Sequence, residues 1–377
     1  MKELSLLFLK LGTIAFGGPA AHIAMMEDEV VKRRGWISHE HFLDLLGATN
    51  LIPGPNSTEM AIHIGYLRAG LKGLLLAGLC FILPAVLITL LLAHFYVAYG
   101  SIPELRPFVA GIRPAVIAVI LAAVFRLSKS VVKNRLAVAL GVLVVILNLL
   151  GVDEIFLLLA SGLAGLLWNY RNRLRQTFAT LITLLPILSL QTATPTEPTL
   201  ATASLLGLTL FFLKVGSVLY GSGYVLVAFL QGGLVDARHW LTQQQLFDAI
   251  AVGQFTPGPV LSTATFIGYL ILGFPGASVA TLGIFLPSFV FVLISNPLIP
   301  KLRRSPLASG FLDGLNAASL GLMLAVTIEL GMTALSGVGS WLIFLIAANV
   351  VILRNINAAW IVIGSAILGW LFSLSGV

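Results

Sequence analysis

The chain has 377 residues, of which 58% are hydrophobic and only 10% charged, against about 25% charged in a soluble domain. Its mean hydropathy is +1.01. This excludes a soluble globular or disordered protein. The formal net charge of +7 comes from short basic runs between apolar stretches, so it reads as membrane topology and not as nucleic-acid binding.

Met1-Lys2-Glu3 and the apolar run from Leu4 have no small-x-small cleavage site and are followed by further spans, so they read as the first membrane element. Phe16-Gly17-Gly18-Pro19 breaks that run. Glu27-Asp28-Glu29 and Lys32-Arg33-Arg34 then form an amphipathic stretch expected at the cytoplasmic surface. A second apolar run, carrying Asp44, is broken at Ile52-Pro53-Gly54-Pro55. Beyond Arg68 and Lys72, residues 73–97 are almost free of charge over a length that crosses a bilayer, and Pro84 reads as a packing kink. The single cysteine, Cys80, lies inside this span, where a structural role is expected and no disulfide within the chain can form. Arg113 stands beside Pro114 in the next apolar run, residues 108–125. After the basic residues of 171–175 come a short apolar segment, 177–190, and a polar linker, 191–199. Further apolar runs at 200–230 and 275–299 follow.

The chain repeats itself. Phe8-Leu9-Lys10-x-Gly12 recurs as Phe212-Leu213-Lys214-x-Gly216, a shift of 204 that also pairs Gly17 with Gly221, Trp36 with Trp240, Asp44 with Asp248 and Pro53-Gly54-Pro55 with Pro257-Gly258-Pro259. After one deletion the shift is 203, which pairs Ile64-Gly65-Tyr66-Leu67 with Ile267-Gly268-Tyr269-Leu270. Loop charge is reversed between the halves. Arg68 and Lys72 precede the first long span where Ile271-Leu272-Gly273-Phe274 carries no charge, while Lys301-Leu302-Arg303-Arg304 follows the second where Ser101-Ile102-Pro103-Glu104 follows the first. Positive residues stay cytoplasmic, so the expected fold is an all-α polytopic membrane protein with two homologous halves as an inverted-topology repeat. The first half is residues 1–175, the linking segment 176–199 and the second half 200–377.

Proline and glycine interrupt each half twice, so broken helical hairpins are expected, with their unwound tips lining a cavity at membrane depth. A helix that starts there aims free N–H groups and the positive end of its dipole into the gap, which suits an anion. The candidate substrate site is therefore Gly17, Gly18, Pro53, Gly54, Pro55, Asn56, Ser57 and Thr58, with Pro257, Gly258 and Pro259 opposite. Asn56 or Ser57 is placed to cap the helix that follows. Lys10, Lys214 and Arg113 are proposed for charge balance. For the lysines, snorkelling to the interface, pairing with a carboxylate and facing the pathway all stay open. Glu59, Asp44, Asp248 and His22 are candidates for coupling transport to protons. The sequence contains no Walker motif, no paired Cys or His metal spacing and no Gly-x-Ser-x-Gly elbow, so a transporter with no metal or cofactor is expected, and not an enzyme.

Phe16-Gly17-Gly18-Pro19, Gly35-Trp36-Ile37-Ser38, Leu51 to Glu59 and Gln254 to Val260 resemble the hallmark segments of the chromate ion transporter family in its long two-domain form. The resemblance covers nearly the whole chain. It implies a multi-pass protein of the bacterial or archaeal inner membrane that exports chromate by secondary active transport, with sulfate as an alternative oxyanion and the lipid bilayer as its surroundings. A homodimer stays open, and a channel or membrane enzyme is the rival class. Gly223 stands in place of Pro19 and Val260 in place of Asn56, so the two sets of breaks are not expected to act alike.

Overall fold

The computed structural model describes residues 1–15, 18–50, 52–99, 106–132, 135–170, 203–220, 223–296, 306–354 and 356–375. Gly17, the linking segment 176–199 and the basic residues at 171–175 and 301–304 lie outside them. Among the described residues the regular structure is helical, with fourteen α-helices and no strand.

The first half opens with α1, Lys2–Ile14, whose buried Leu4, Leu7, Phe8 and Leu11 recur at the helical period. Next come α2, Pro19–Glu27, with a π-helical turn at Asp28–Arg33, and α3, His39–Thr49, capped by the Ser38 side chain accepting from the His41 N–H at 3.2 Å. α4 spans Asn56–Tyr99. It is two helices joined at a kink, where Ala69 leaves helical geometry and Gly70 takes φ +59°. The kink falls there and not at Pro84, which the helix absorbs. α5 (Arg106–Val131), α6 (Arg135–Leu149) and α7 (Glu154–Tyr170) complete the half.

The second half repeats this plan as α8 (Leu205–Val218), α9 (Leu226–Leu230) between a 3-10 turn and a π-helical turn, α10 (Gln243–Phe255), α11 (Thr263–Ser295), α12 (Pro306–Ala334), α13 (Val338–Arg354) and α14 (Ala358–Ser375). α11 kinks at Leu272 and Gly273 just as α4 does.

On either side of each break of the first half, the described helices run back beside one another. The chain returning from α1 runs back beside it, because Lys10 Nζ lies 3.0 Å from Glu29 Oε1 and Arg34 Nε lies 3.4 Å from Glu3 Oε1. α3 and the first arm of α4 open at the same end, where the guanidinium groups of Arg34 and Arg68 sit 5.6 and 5.1 Å from the Trp36 ring. With 13 residues, α1 rises about 20 Å, short of the ~30 Å hydrocarbon core. By itself this helix is too short to cross the core.

Contacts along the long arm of α4 order the rest. Gly73 packs on Gly65 near the first half's hairpin mouth, and the Phe81 backbone packs on Gly12 near a tip. Further on, Ala85 meets Gly258 at a tip of the second half, Thr89 bonds Ser262 at 3.2 Å, and His94 bonds Tyr269 at 2.9 Å near the second half's hairpin mouth. Along its length α4 thus meets the hairpin of the first half and then that of the second. α5 packs on α13 and α14, while α12 packs on α6 and α7, so each half lends a central helix to the other. Small residues permit these crossings: a Cβ on Gly111 would strike the Ser365 carbonyl, and one on Gly314 that of Ser161.

Among the described residues, four helical stretches are long and apolar enough to cross a membrane: Asn56–Tyr99, Ala110–Val131, Val260–Ser295 and Ser309–Ala334. On α4, Leu71, Leu75, Leu79, Leu83, Leu87 and Leu91 are all exposed at i, i+4 spacing, a continuous apolar stripe of the kind a helix shows to lipid. The chain is a multi-pass membrane protein.

At the mouth of the first half Glu29 is buried and accepts from Lys10, Arg33 and Arg34. The Lys10 hydrogen bond and the Arg34 contact hold its carboxyl below the ordinary glutamate value in spite of partial burial. A depressed carboxylate stabilises the fold above its unfolded pKa and loses that contribution as pH falls through the folded one. Glu29→Gln should therefore destabilise the fold at neutral pH by about 1 kcal/mol per broken pair, which lowers the thermal midpoint. Melting curves of wild type and variant should converge as the pH falls from the ordinary glutamate range through that lowered value.

Candidate functional site

The tips of the two halves are tied crosswise. The Gly54 N–H donates to the Leu219 carbonyl at 2.7 Å, and the Gly258 N–H donates to the Ala15 carbonyl at 2.9 Å. These are repeat equivalents, since 258 − 54 = 204 and 219 − 15 = 204. Each Pro-Gly-Pro glycine therefore satisfies the last turn of the opposite half's first helix, and any movement of one hairpin set is felt by the other.

Beside this crossing lies a cavity of about 570 Å³ between the halves, a size typical of small-molecule sites. Gly18, Pro19, Asn50 and Asn56 line it from the first half's tips, and Gly223, Tyr224, Gln254, Thr256, Gly258 and Val260 from the second's. Arg126 of α5 closes one wall, with Asn357 beyond it. α2 starts at Pro19 directly after Gly18, whose φ of +79° makes the turn, and α4 starts at Asn56 after Pro55. Both helices present their N-terminal ends to the space, as does the 3-10 turn at Val260–Ser262.

Arg126 and Gln254 bring hydrogen-bond donors to the cavity, which Asn50, Asn56, Tyr224 and Thr256 also line. Arg126 uses Nη2 on the Val351 carbonyl at 3.0 Å, which fixes the guanidinium and leaves its other N–H groups available. Gln254 is 8% exposed; its Oε1 accepts from the Tyr224 hydroxyl at 3.3 Å while its Nε2 is buried with no partner. The Asn56 amide donates to Asn50 Oδ1 at 2.6 Å. No carboxylate lines the cavity among the described residues.

Behind the first Pro-Gly-Pro is a second polar group of residues. Glu59, Thr58 and Ser288 are completely buried, and both Glu59 carboxyl oxygens, Thr58 Oγ1 and Ser288 Oγ have no hydrogen-bond partner. Gly54 is the reason they fit: it takes φ +141°, and a Cβ there would overlap the Glu59 carboxyl and Ser288 Oγ. The equivalent wall of the second half carries Ala85 against Gly258, so only the first half's break has this acidic backing.

Of the residues expected from sequence, Gly18, Asn56 and Gly258 line the cavity, whereas Pro53, Gly54, Pro55, Ser57, Thr58, Pro257 and Pro259 are buried around it. Lys10 is taken up by Glu29 at the surface, and Lys214 is exposed. Neither lines the cavity. Arg113 sits near Tyr96 and Asp248, with its Nε buried and unpartnered. Asp248 is 6% exposed and accepts from the Tyr96 hydroxyl at 2.6 Å and from Gln244 at 3.3 Å. Asp44 is half-buried on α3. His22 turns its Nε2 to the Ala15 carbonyl at 3.0 Å, bracing the carbonyl that receives Gly258. Sequence reasoning missed Arg126, Gln254, Tyr224 and Asn357. Arg126 was legible as a charge at the edge of an apolar run, but its place in a basic cluster offered topology as a sufficient explanation.

Comparison with known proteins gives the same two halves. The family model for chromate transporters matches residues 2–166 and again residues 206–370. A probable chromate transport protein of Synechococcus elongatus is 35% identical over 357 residues, covering 92% of this chain and 88% of its own. The chromate transport protein of Cupriavidus metallidurans is 33% identical over 377 residues, covering 98% of this chain and 92% of its own. These relatives are transport proteins, not enzymes. No solved structure matches the chain significantly. Two repeats of one family model over most of the sequence, carried on paired broken hairpins, place the chain in the chromate transporter family.

Proposed function

We propose that the protein is a secondary active transporter of chromate, held in the cavity between the two sets of hairpin tips and exported across the inner membrane of a bacterium or archaeon. The observation that carries this reading is the cavity's lining: a fixed guanidinium, an unpartnered buried amide N–H and helix N-termini from both halves, with no carboxylate among the described residues. A tetrahedral dianion satisfies all of these donors at once. Sulfate offers the same shape and charge, so the site discriminates weakly between the two.

The halves are proposed to lie in opposite orientations, and the order of contacts along α4 supports this. Rocking of one half against the other about the crossed Gly54 and Gly258 hydrogen bonds exposes the cavity to each side in turn. Glu59, fully buried behind the tip that carries Asn56, is the leading proton carrier, with Asp248, Asp44 and His22 further out. A proton bound at Glu59 removes a negative charge from the neighbourhood of the anion and so links proton and chromate movement.

Labelled chromate and sulfate uptake into inverted vesicles tests the reading. Saturable chromate uptake that responds to a pH gradient or a membrane potential is expected; absence of uptake of either anion under every gradient refutes it. For orientation, cysteines at Lys72 and Phe274 in a Cys80→Ser background should react with impermeant reagent from opposite sides. Labelling from one side would refute the inversion.

A further inference from the structure

A second cavity, of about 560 Å³, lies far along the fold from the chromate site, where the α6–α7 connection meets the π-helical turn after α9 and the end of α12. Its chemistry is the reverse of the first. Asp153, Glu154, Asp236 and Glu329 line it, and the nearby cation, Lys214, forms no ion pair with any of them among the described residues.

The repeat register shows that the two cavities share a building plan. Taking 203 from 329 gives 126, and adding 203 to 153 and 154 gives 356 and 357. Glu329 thus holds the place of Arg126, Glu154 that of Asn357 and Asp153 that of Ile356, and all three equivalents line the donor-rich cavity. One cavity has a cation and an amide where the other has two carboxylates.

The centre of the acidic cavity is arranged and not merely crowded. Gln231 is 4% exposed, and its Nε2 donates to Asp236 Oδ1 at 2.9 Å and to Glu329 Oε1 at 3.5 Å, drawing two carboxylates together. Its Oε1 is buried with no partner among the described residues, on a side chain that lines the anionic cup. Glu154 reaches in over Gly232, where any Cβ would overlap it. Asp153 sits at the rim, its Oδ1 accepting from the Phe156 N–H at 2.9 Å. An orphaned buried acceptor is costly unless something donates to it.

We propose that this cavity is a binding site for a hydrated divalent cation. No three of the carboxylates among the described residues converge closely enough to ligate one ion directly. An ion that keeps its water shell, as Mg²⁺ does, needs no such convergence. Six waters occupy roughly 180 Å³ at about 30 Å³ each, well inside the cavity. Shell waters donate to Glu154, Asp236 and Glu329 and to the orphaned Gln231 oxygen, while the ion offsets their charge.

The test uses the purified full-length chain in detergent and Mn²⁺ as the probe, with loss of the free-ion EPR signal read against added metal. Wild type should bind Mn²⁺ saturably, with Mg²⁺ competing. Glu154→Gln and Glu329→Gln should each weaken binding tenfold or more, and Gln231→Leu several-fold, with size-exclusion profiles unchanged. Glu40→Gln, an exposed carboxylate on α3 outside the cavity, should bind as wild type does. Unaltered affinity in both Glu154→Gln and Glu329→Gln would overturn the proposal. Should those variants not fold, the wild-type titration decides alone, since a chain without saturable Mn²⁺ binding has no such site.

Discussion

Arg126→Gln should reduce chromate uptake into inverted vesicles at least tenfold at low substrate, with the protein still present in normal amount in the membrane. Among the described residues Arg126 is the single cation lining the cavity proposed for chromate, and its Nη2 contact with the Val351 carbonyl holds it there. A hydrogen bond to a charged group is worth about 1.5–3 kcal/mol, which corresponds to about ten- to over a hundredfold in binding. Glutamine keeps a donor but gives up the charge and the fork that matches an oxyanion, and lysine restores charge without the fork. Arg126→Lys should therefore fall between wild type and Arg126→Gln. Lys10→Ala is the contrasting variant: with its ammonium committed to Glu29, it should change the transport rate less than twofold while lowering thermal stability. Equal losses in Arg126→Gln and Lys10→Ala would remove the special place given to this cavity.

Gly54→Ala should have the largest structural effect of any single methyl added to the chain's breaks. The residue sits at φ +141°, and its new Cβ would overlap the Glu59 carboxyl and Ser288 Oγ. Backbone strain of this kind costs about 1–3 kcal/mol, and overpacking a buried site about as much again. Gly258→Ala is the milder case, at φ +87°, with Ala85 Cβ at 3.0 Å and the Gly12 carbonyl at 3.1 Å. Gly337→Ala, where nothing lies within 4 Å, should be neutral. Fluorescence-detected size-exclusion after heating ranks the three; a midpoint for Gly54→Ala at or above that of Gly337→Ala would contradict the geometry.

The halves, the two breaks in each and the hairpin character of the first seventy residues could be read from the chain because proline, glycine and tryptophan recur in one register, and backbone chemistry ties those residues to breaks. The kink positions were less legible. Pro84 and Pro287 draw the eye, yet both are absorbed within helices, and the turns fall at Gly70 and Gly273, where positive φ is needed. The cavity's side chains were harder still. Arg126 and Glu329 stand at equivalent positions with opposite charge, and pattern matching rewards identity and overlooks reversal. Nor does periodicity announce that α5 and α12 pack mainly on helices of the opposite half. Partner choice between equally apolar helices is decided by small residues such as Gly111, Gly314 and Gly369, whose spacing becomes informative only once the crossing is known.

That exchange of central helices has a consequence for how the chain must be made. A half synthesised alone would leave α5 without α13 and α14, a glycine-lined seam with only lipid to fill it, so it should be degraded or pair with a second copy of itself. The covalent join between the halves matters far less. Two polypeptides, residues 1–175 and 200–377, expressed together in one cell should find each other in the bilayer and restore chromate transport, and neither should do so by itself.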